Sequence, residues 1–306
     1  MTEGVQEAGE TRLSRTRPSQ DPGSVHDAKP IVPAPEAFLL PVAGEALFCL
    51  FHPASDSTRA GGAFVYVHPF AEEMNKSRRM AALQSRMLAA AGFAVLQVDL
   101  YGCGDSAGEF ADATWSGWID DVIASANWLR ERTGRVPALW GLRAGCLLAA
   151  QAAERMRDHA GLLFWQPVMS GSQHLQQFLR LHVAAKLAGR GAADRTGTKE
   201  LREELAGGRL VEVAGYQLSA AVASGLDTAN LAPVPGSARV AWLEIAATEP
   251  PQLTPASTAR IEAWRAAGHD VVAEAVTGLA FWQTQEIVEC AALLAATQAA
   301  VQRMRR

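Results

Sequence analysis

From residue 38 onward, the apolar positions follow two alternating rhythms. Short runs rich in β-branched and aromatic residues predict buried strands: Ala63–Val67 (AFVYV), Phe93–Val98 (FAVLQV), Gly161–Trp165 (GLLFW) and Val240–Ala246 (VAWLEIA). Glu45–Phe51, Val136–Trp140 and Asp270–Val276 read the same way. Between them the spacing turns helical. Met80, Leu83, Met87 and Leu88 recur within Ser77–Ala91, which Gly92 closes, and Trp118, Val122 and Trp128 share a side of Trp115–Arg132. Ala144–Arg157, Pro255–Ala267 and Gln283–Arg303 are further helices. Strands alternating with helices predict βαβ units, hence a mostly parallel sheet covered on both faces.

The rhythm fails in two places. Residues 1–36 are polar and Pro-rich with no hydrophobic period, which predicts a disordered tail ahead of a domain over 37–306. After Pro167 the alternation stops. Residues 170–235 hold helical pieces, His174–Leu187 and Lys199–Leu205, and little strand pattern. Alternation resumes at Val240. No internal repeat is evident.

Composition narrows the function classes. The chain has 306 residues, 49% of them hydrophobic, and a net charge of -4 with acids and bases interspersed. That balance argues against nucleic acid as a partner, which calls for a basic patch. The four cysteines (Cys49, Cys103, Cys146, Cys290) are far apart and form no CxxC pair, so reduced thiols in a cytoplasmic protein are expected and a cysteine metal site is not. His174 and His182, eight apart on one helical face, lack the acidic company a metal site needs. No Gly-rich phosphate loop is present, so no nucleotide cofactor is implied. No apolar run is long enough to span a membrane, and the start lacks a basic-then-apolar leader pattern.

The stretch with the most chemistry is Trp-Gly-Leu-Arg-Ala-Gly-Cys at 140–146. An apolar strand runs into a Gly-x-x-x-Gly turn and then into a helix of small residues. This is the layout of the G-x-S-x-G nucleophile elbow, whose middle residue is pushed up at the top of the sheet. Here that residue is Arg143. A guanidinium is always protonated and has no lone pair with which to attack a carbonyl.

On these residues the chain resembles an α/β-hydrolase. The matching pieces are the His68-Pro69-Phe70 turn, the loop Asp99-Leu100-Tyr101-Gly102-Cys103-Gly104-Asp105-Ser106, the Gly141-x-x-x-Gly145 elbow and a late Phe281-Trp282. More narrowly, HPF, DLYGCGDS and WGLR resemble the exosortase A system-associated hydrolase 2 group, found with exopolysaccharide and protein-sorting systems. The resemblance covers roughly residues 37–300. It implies an α/β-hydrolase fold, a helical lid at about 170–235, ester or thioester hydrolysis without a cofactor, and sorting-system proteins as partners. It also implies an oxyanion turn at Pro69, Phe70 and Ala144.

The family's catalytic residues carry over poorly. The nucleophile position holds Arg143. The acid position falls on Glu249. The histidine position falls within Thr277-Gly278-Leu279-Ala280-Phe281, which has no histidine, and His269 precedes that strand, at the wrong end of the sheet. Hydrolysis would need other groups: Cys103 with His68 as its base, or a water activated by Glu72 or Glu73, which the pattern places on a loop. Ser106 is a hydroxyl that the related loop uses to hold its turn, and Cys146 reads as buried packing. The alternative is a catalytically inactive relative. There Arg143 either pairs with an acid from Glu72, Glu73, Asp105, Glu109 or Glu249, or binds a ligand carboxylate or phosphate.

Overall fold

Eight strands form one sheet, and only the second of them runs against the rest. In the computed structural model, which describes residues 1–2, 33–55, 61–189 and 197–304, the strands are β1 (Glu36–Val42), β2 (Glu45–His52), β3 (Ala63–Val67), β4 (Ala94–Val98), β5 (Pro137–Leu142), β6 (Leu162–Trp165), β9 (Arg239–Ala246) and β10 (Asp270–Thr277). Their order across the sheet is β1-β2-β4-β3-β5-β6-β9-β10. β2 pairs antiparallel with β1 and β4, and every other pairing is parallel. The helices are α1 (Glu72–Ala90), α2 (Trp115–Thr133), α3 (Gly145–Arg155), α4 (Gly171–Gly189), α5 (Thr198–Ala206), α6 (Ala220–Thr228), α7 (Pro255–Ala266) and α8 (Ala291–Met304). The mostly parallel, doubly covered sheet is the one the alternating pattern predicts, and the arrangement is the α/β-hydrolase fold that the resemblance implies.

The central strands read as continuous apolar runs because both faces are covered. All five residues of β3 and all six of β5 are buried. Phe64, Tyr66, Ala138 and Trp140 point to the side packed with Met80 and Leu88 of α1 and Leu293 and Val301 of α8. Val65, Val67 and Leu139 point to the opposite core, with Trp118, Val122 and Leu129 of α2 and Leu147 of α3. Trp115 and Trp118 are core residues, while Trp128 stacks on Phe38 and meets Phe51 edge-on.

Several expectations need correction. β1 begins at Glu36, inside the stretch read as tail; the rest of that reading, over 3–32, lies outside the described residues. The last helix begins at Ala291, because Phe281–Gln283 form a turn instead. The span between β6 and β9 contains, besides α4 and α5, a short hairpin of β7 (Val211–Val213) and β8 (Tyr216–Leu218) and the helix α6. Its three-residue strands are too short to show a period. The correction that matters most for chemistry is α1. It starts five residues earlier than its apolar spacing suggests, so Glu72 and Glu73 form its first turn rather than a loop.

Among the described residues no helix is long and apolar enough to cross a membrane.

Candidate functional site

The elbow is built by close backbone contact. β5 ends at Leu142, Arg143 adopts φ 55°, and α3 begins at Gly145. A Cβ on Gly145 would stand 2.3 Å from the Val67 carbonyl oxygen and 2.6 Å from that of His68, so only glycine lets α3 meet the end of β3. The His68-Pro69-Phe70 turn therefore lies directly against the elbow. A bulky side chain at positive φ costs on the order of 1–3 kcal/mol and must be held in place by its surroundings.

What holds Arg143 is Glu73. The guanidinium Nε donates to Glu73 Oε1 at 3.2 Å, and the two side chains are 13% and 7% exposed. The Arg143 Cζ also lies 5.4 Å from the Trp282 ring centroid, a cation–π contact. A cation at the start of α3 is disfavoured by the helix dipole, whereas Glu73 in the first turn of α1 is favoured by that helix's own. The pair thus offsets one unfavourable end with a favourable one. Among the described residues the Nη1 and Nη2 atoms of Arg143 donate to nothing.

The pair lines a cavity of about 260 Å³. Phe70 from the turn, with Phe178 and Leu181 of α4, forms its apolar wall, and Gln177 and Gln283 add amides. His174, at the start of α4, packs edge-on to Phe70 and is buried, yet its Nδ1 has no hydrogen-bond partner. Glu73 Oε2 and Glu72 Oε2 are likewise buried without partners. Burial dominates the electrostatics. It pushes the Glu73 carboxyl up to about 7, against the opposing pull of Arg143. Burial, aided by Arg143, lowers His174 to about 3, so its ring is neutral. Burial raises Glu72 as well.

The other sequence candidates do not gather here. His68 Nε2 accepts from the Leu100 N–H at 3.3 Å, so its proton sits on Nδ1, which donates to the Pro69 carbonyl at 2.8 Å. Both ring nitrogens are spent on fixing the turn, and burial lowers its pKa. Cys103 is buried, and burial together with Asp99 and Asp121 pushes its thiol far above the ordinary range. A catalytic cysteine needs the opposite, so the Cys103–His68 pairing is not a nucleophile and its base. Ser106 Oγ accepts from the Phe48 N–H at 2.8 Å and donates to the Asp99 carbonyl, as a turn-holding hydroxyl does. Asp99 itself receives Arg78 and the Asp105 N–H, which fixes the same loop. Cys146 is buried with its thiol raised well above normal.

Glu249 lies just after β9, and Thr277 is the last residue of β10, at the start of the stretch 277–281 where a histidine was expected. Thr277 Oγ1 donates to Glu249 Oε2 at 3.0 Å. A threonine hydroxyl has no basic nitrogen to relay a proton, so this pair does not substitute for the missing histidine. Glu249 is not the partner of Arg143, and neither are Asp105 and Glu109. Around the turn expected to hold an oxyanion, the N–H groups of Phe70 and Ala144 serve as donors in no hydrogen bond among the described residues, while Pro69 has no N–H to give. His182, paired in sequence with His174, contacts the Glu212 carbonyl through Nδ1 instead. Among the described residues no three His, Cys, Asp or Glu side chains converge as metal ligands would.

Sequence reasoning missed His174 as a pocket residue and Trp282 as the ring under Arg143. No spacing signal marks the first, because α4 belongs to a span that only tertiary packing brings over the elbow. The second was visible as a late aromatic pair.

Comparison with known proteins bears on the fold. The family described as Serine aminopeptidase, S33 matches residues 58–206, just under half of the chain. Protein ABHD12B from Homo sapiens is 36% identical over 95 residues, which is 31% of this chain and 25% of that protein. Among solved structures, Est1E from Butyrivibrio proteoclasticus with ferulic acid bound superposes with a TM-score of 0.57 at 16% identity, covering 88% of this chain and 98% of that one. DcsB in complex with its substrate analogue gives 0.56 at 13% identity, covering 88% and 99%. GrgF from Penicillium sp. sh18 gives 0.55 at 17% identity, covering 89% and 99%. Such coverage of both chains at such low identity is a statement about architecture: the chain has the α/β-hydrolase fold.

Proposed function

We propose that the protein binds a small anionic ligand at Arg143 and has given up serine-type hydrolysis. The observation that carries this reading is the state of the guanidinium. The Arg143 side chain is only 13% exposed at the elbow and lines a cavity, and among the described residues it is hydrogen-bonded through Nε alone. A planar fork with two open donors suits a carboxylate. The unspent N–H groups of Phe70 and Ala144 offer further donors nearby. Relatives in fold hold small molecules, as the ferulic acid bound to Est1E illustrates.

The narrower resemblance, through HPF, DLYGCGDS and WGLR, extends the proposal to biology. The ligand would be an acyl or glycan-linked anion, and the partners would be proteins of an exosortase and exopolysaccharide system.

A second reading keeps the enzyme. A buried Glu73 held at about 7 has the pKa of a general base for water. Saturation-transfer NMR against a set of carboxylates, their methyl esters and their amides, with product analysis of the same samples, separates the two. The binding reading expects carboxylates to bind, esters to survive and Arg143→Gln to abolish binding. Ester turnover that Glu73→Gln abolishes favours the second reading.

A further inference from the structure

We propose that the elbow pocket takes up a monocarboxylic acid together with one proton, the ligand's carboxylate replacing Glu73 on Arg143 and the proton passing from solvent to Glu73. This rests on the anion-binding reading above and specifies its ligand class and its regulation.

The geometry leaves little alternative once an anion enters. Glu73 Oε1 already occupies Arg143 Nε, and Glu73 is almost wholly buried. A second carboxylate on the same guanidinium stands within a few ångströms of the first. Two carboxylates that close cannot both stay ionised. The carboxyl that yields is the one in the drier place, and that is Glu73. Its Oε2 is buried and unpartnered, so the neutral acid has an O–H with nothing to donate to until a ligand oxygen arrives. The Nδ1 of His174 is in the same condition on the facing wall.

The charged and titratable groups around Glu73 agree. Glu72 and Lys76 flank it on α1, Arg143 faces it from the elbow, and His174 faces it from α4. Gln177 and Gln283 are neutral. His174 stays uncharged, so among the described residues the cations lining the cavity are Arg143, on the elbow side, and Lys76, one turn along α1 from Glu73. A dianion such as phosphate would bring a second negative charge against Glu72, whereas a monoanion does not. Phe70, Phe178 and Leu181 ask for an apolar body behind the carboxylate. The proton comes easily, since Glu73 sits at about 7.

The test is calorimetric titration of the full chain with phenylacetate between pH 6 and 9, in two buffers of different ionisation enthalpy. The expected result is uptake of one proton per phenylacetate at pH 8.5. Affinity should weaken about tenfold per pH unit above pH 8 and level off below pH 6.5. Glu73→Gln should bind at pH 8.5 as tightly as the wild type does at pH 6.5, with no proton uptake. The wild-type proton count stands alone if that variant fails to fold. Binding without proton uptake, or an unchanged slope in Glu73→Gln, overturns the proton coupling and leaves the anion reading standing. Inorganic phosphate binding more tightly than phenylacetate overturns the ligand class. No binding of any carboxylate at any pH overturns both readings.

Discussion

Arg143 and Glu73 meet at 3.2 Å where the first turn of α1 faces the start of α3, and each answers a problem the other poses. The elbow places a long cation at positive φ on the unfavourable end of a helix. The early start of α1 places a carboxyl deep in the protein. The carboxyl is the more exacting of the two, because an ionised group this deeply buried costs several kcal/mol without a partner.

The pair is nevertheless not fully ionised at neutral pH, and stability should record that. Burial holds Glu73 near 7 when folded, against 4.5 as the ordinary value. The folded state therefore binds the proton more tightly than the unfolded state. Its contribution is fully present below pH 4.5 and is lost as pH rises through 7. The span corresponds to roughly 3 kcal/mol. Glu73→Gln, fixed in the neutral form, should be more stable than the wild type by that order at pH 8 and about equal to it at pH 4.5. Urea unfolding at the two pH values measures this. A variant less stable than the wild type at pH 8 shows that the ionised pair is net stabilising.

His174 works in the opposite sense. Burial lowers it to about 3 when folded, from 6.5. Its contribution is present above pH 6.5 and is lost as pH falls, because the unfolded chain takes the proton first. Between pH 6.5 and 4.5 that loss is roughly 3 kcal/mol, which offsets the gain from Glu73 over much of the same window. His174→Leu should leave stability at pH 8 within about 1 kcal/mol of the wild type, since leucine suits the Phe70 contact. It should make the variant relatively more stable as pH approaches 4.5. His52, also lowered by burial, to about 4, keeps some acid sensitivity in both proteins. Parallel pH profiles for variant and wild type would remove His174 from the account.

Thiol chemistry gives a sharper contrast with the sequence. Cys103 lies between two glycines in a loop, where a thiolate mechanism would need it exposed beside His68. The loop instead folds inward, held by Asp99, Ser106 and the Tyr101 N–H on Asp121, and takes the thiol with it. Cys49, raised to about 12, and Cys146 and Cys290 are buried too. Iodoacetamide at pH 7.5 should modify none of the four in the native protein over an hour and all four in urea, as read by intact mass. Fast labelling of Cys103 alone would restore the thiolate mechanism.

The sheet was legible because strands buried on both faces write themselves as apolar runs, as Ala63–Val67 does residue for residue. The elbow was legible because two glycines and a strand define it. The pocket was not. Glu72 and Glu73 look like solvated charges in sequence, since nothing local announces that a helix starts at an uncapped Ala71 and turns Glu73 inward. His174 depends on how the span between β6 and β9 packs over the elbow, and packing at that distance leaves no period in the chain.

Restoring the elbow serine should not restore a hydrolase. In Arg143→Ser the hydroxyl would stand at the right turn, close to the free N–H groups of Phe70 and Ala144. It would still lack a base. His68 has both nitrogens committed, His174 is held neutral by a dry site, and the stretch 277–281 after β10 has no histidine. Glu73 would lose its cation and rise further, becoming an acid rather than a base at pH 7. The variant should show no burst with p-nitrophenyl acetate and no fluorophosphonate label on residue 143. Its melting temperature should drop, with a loss on the order of 3 kcal/mol at pH 8 that shrinks at pH 6, where Glu73 is already largely protonated. Adding Thr277→His should be the minimum step toward labelling, since it puts a ring nitrogen in place of the hydroxyl that now donates to Glu249. Stoichiometric labelling of the single variant would mean that one of the existing side chains can serve as base after all, and the active-site reading of Glu73 would replace the binding one.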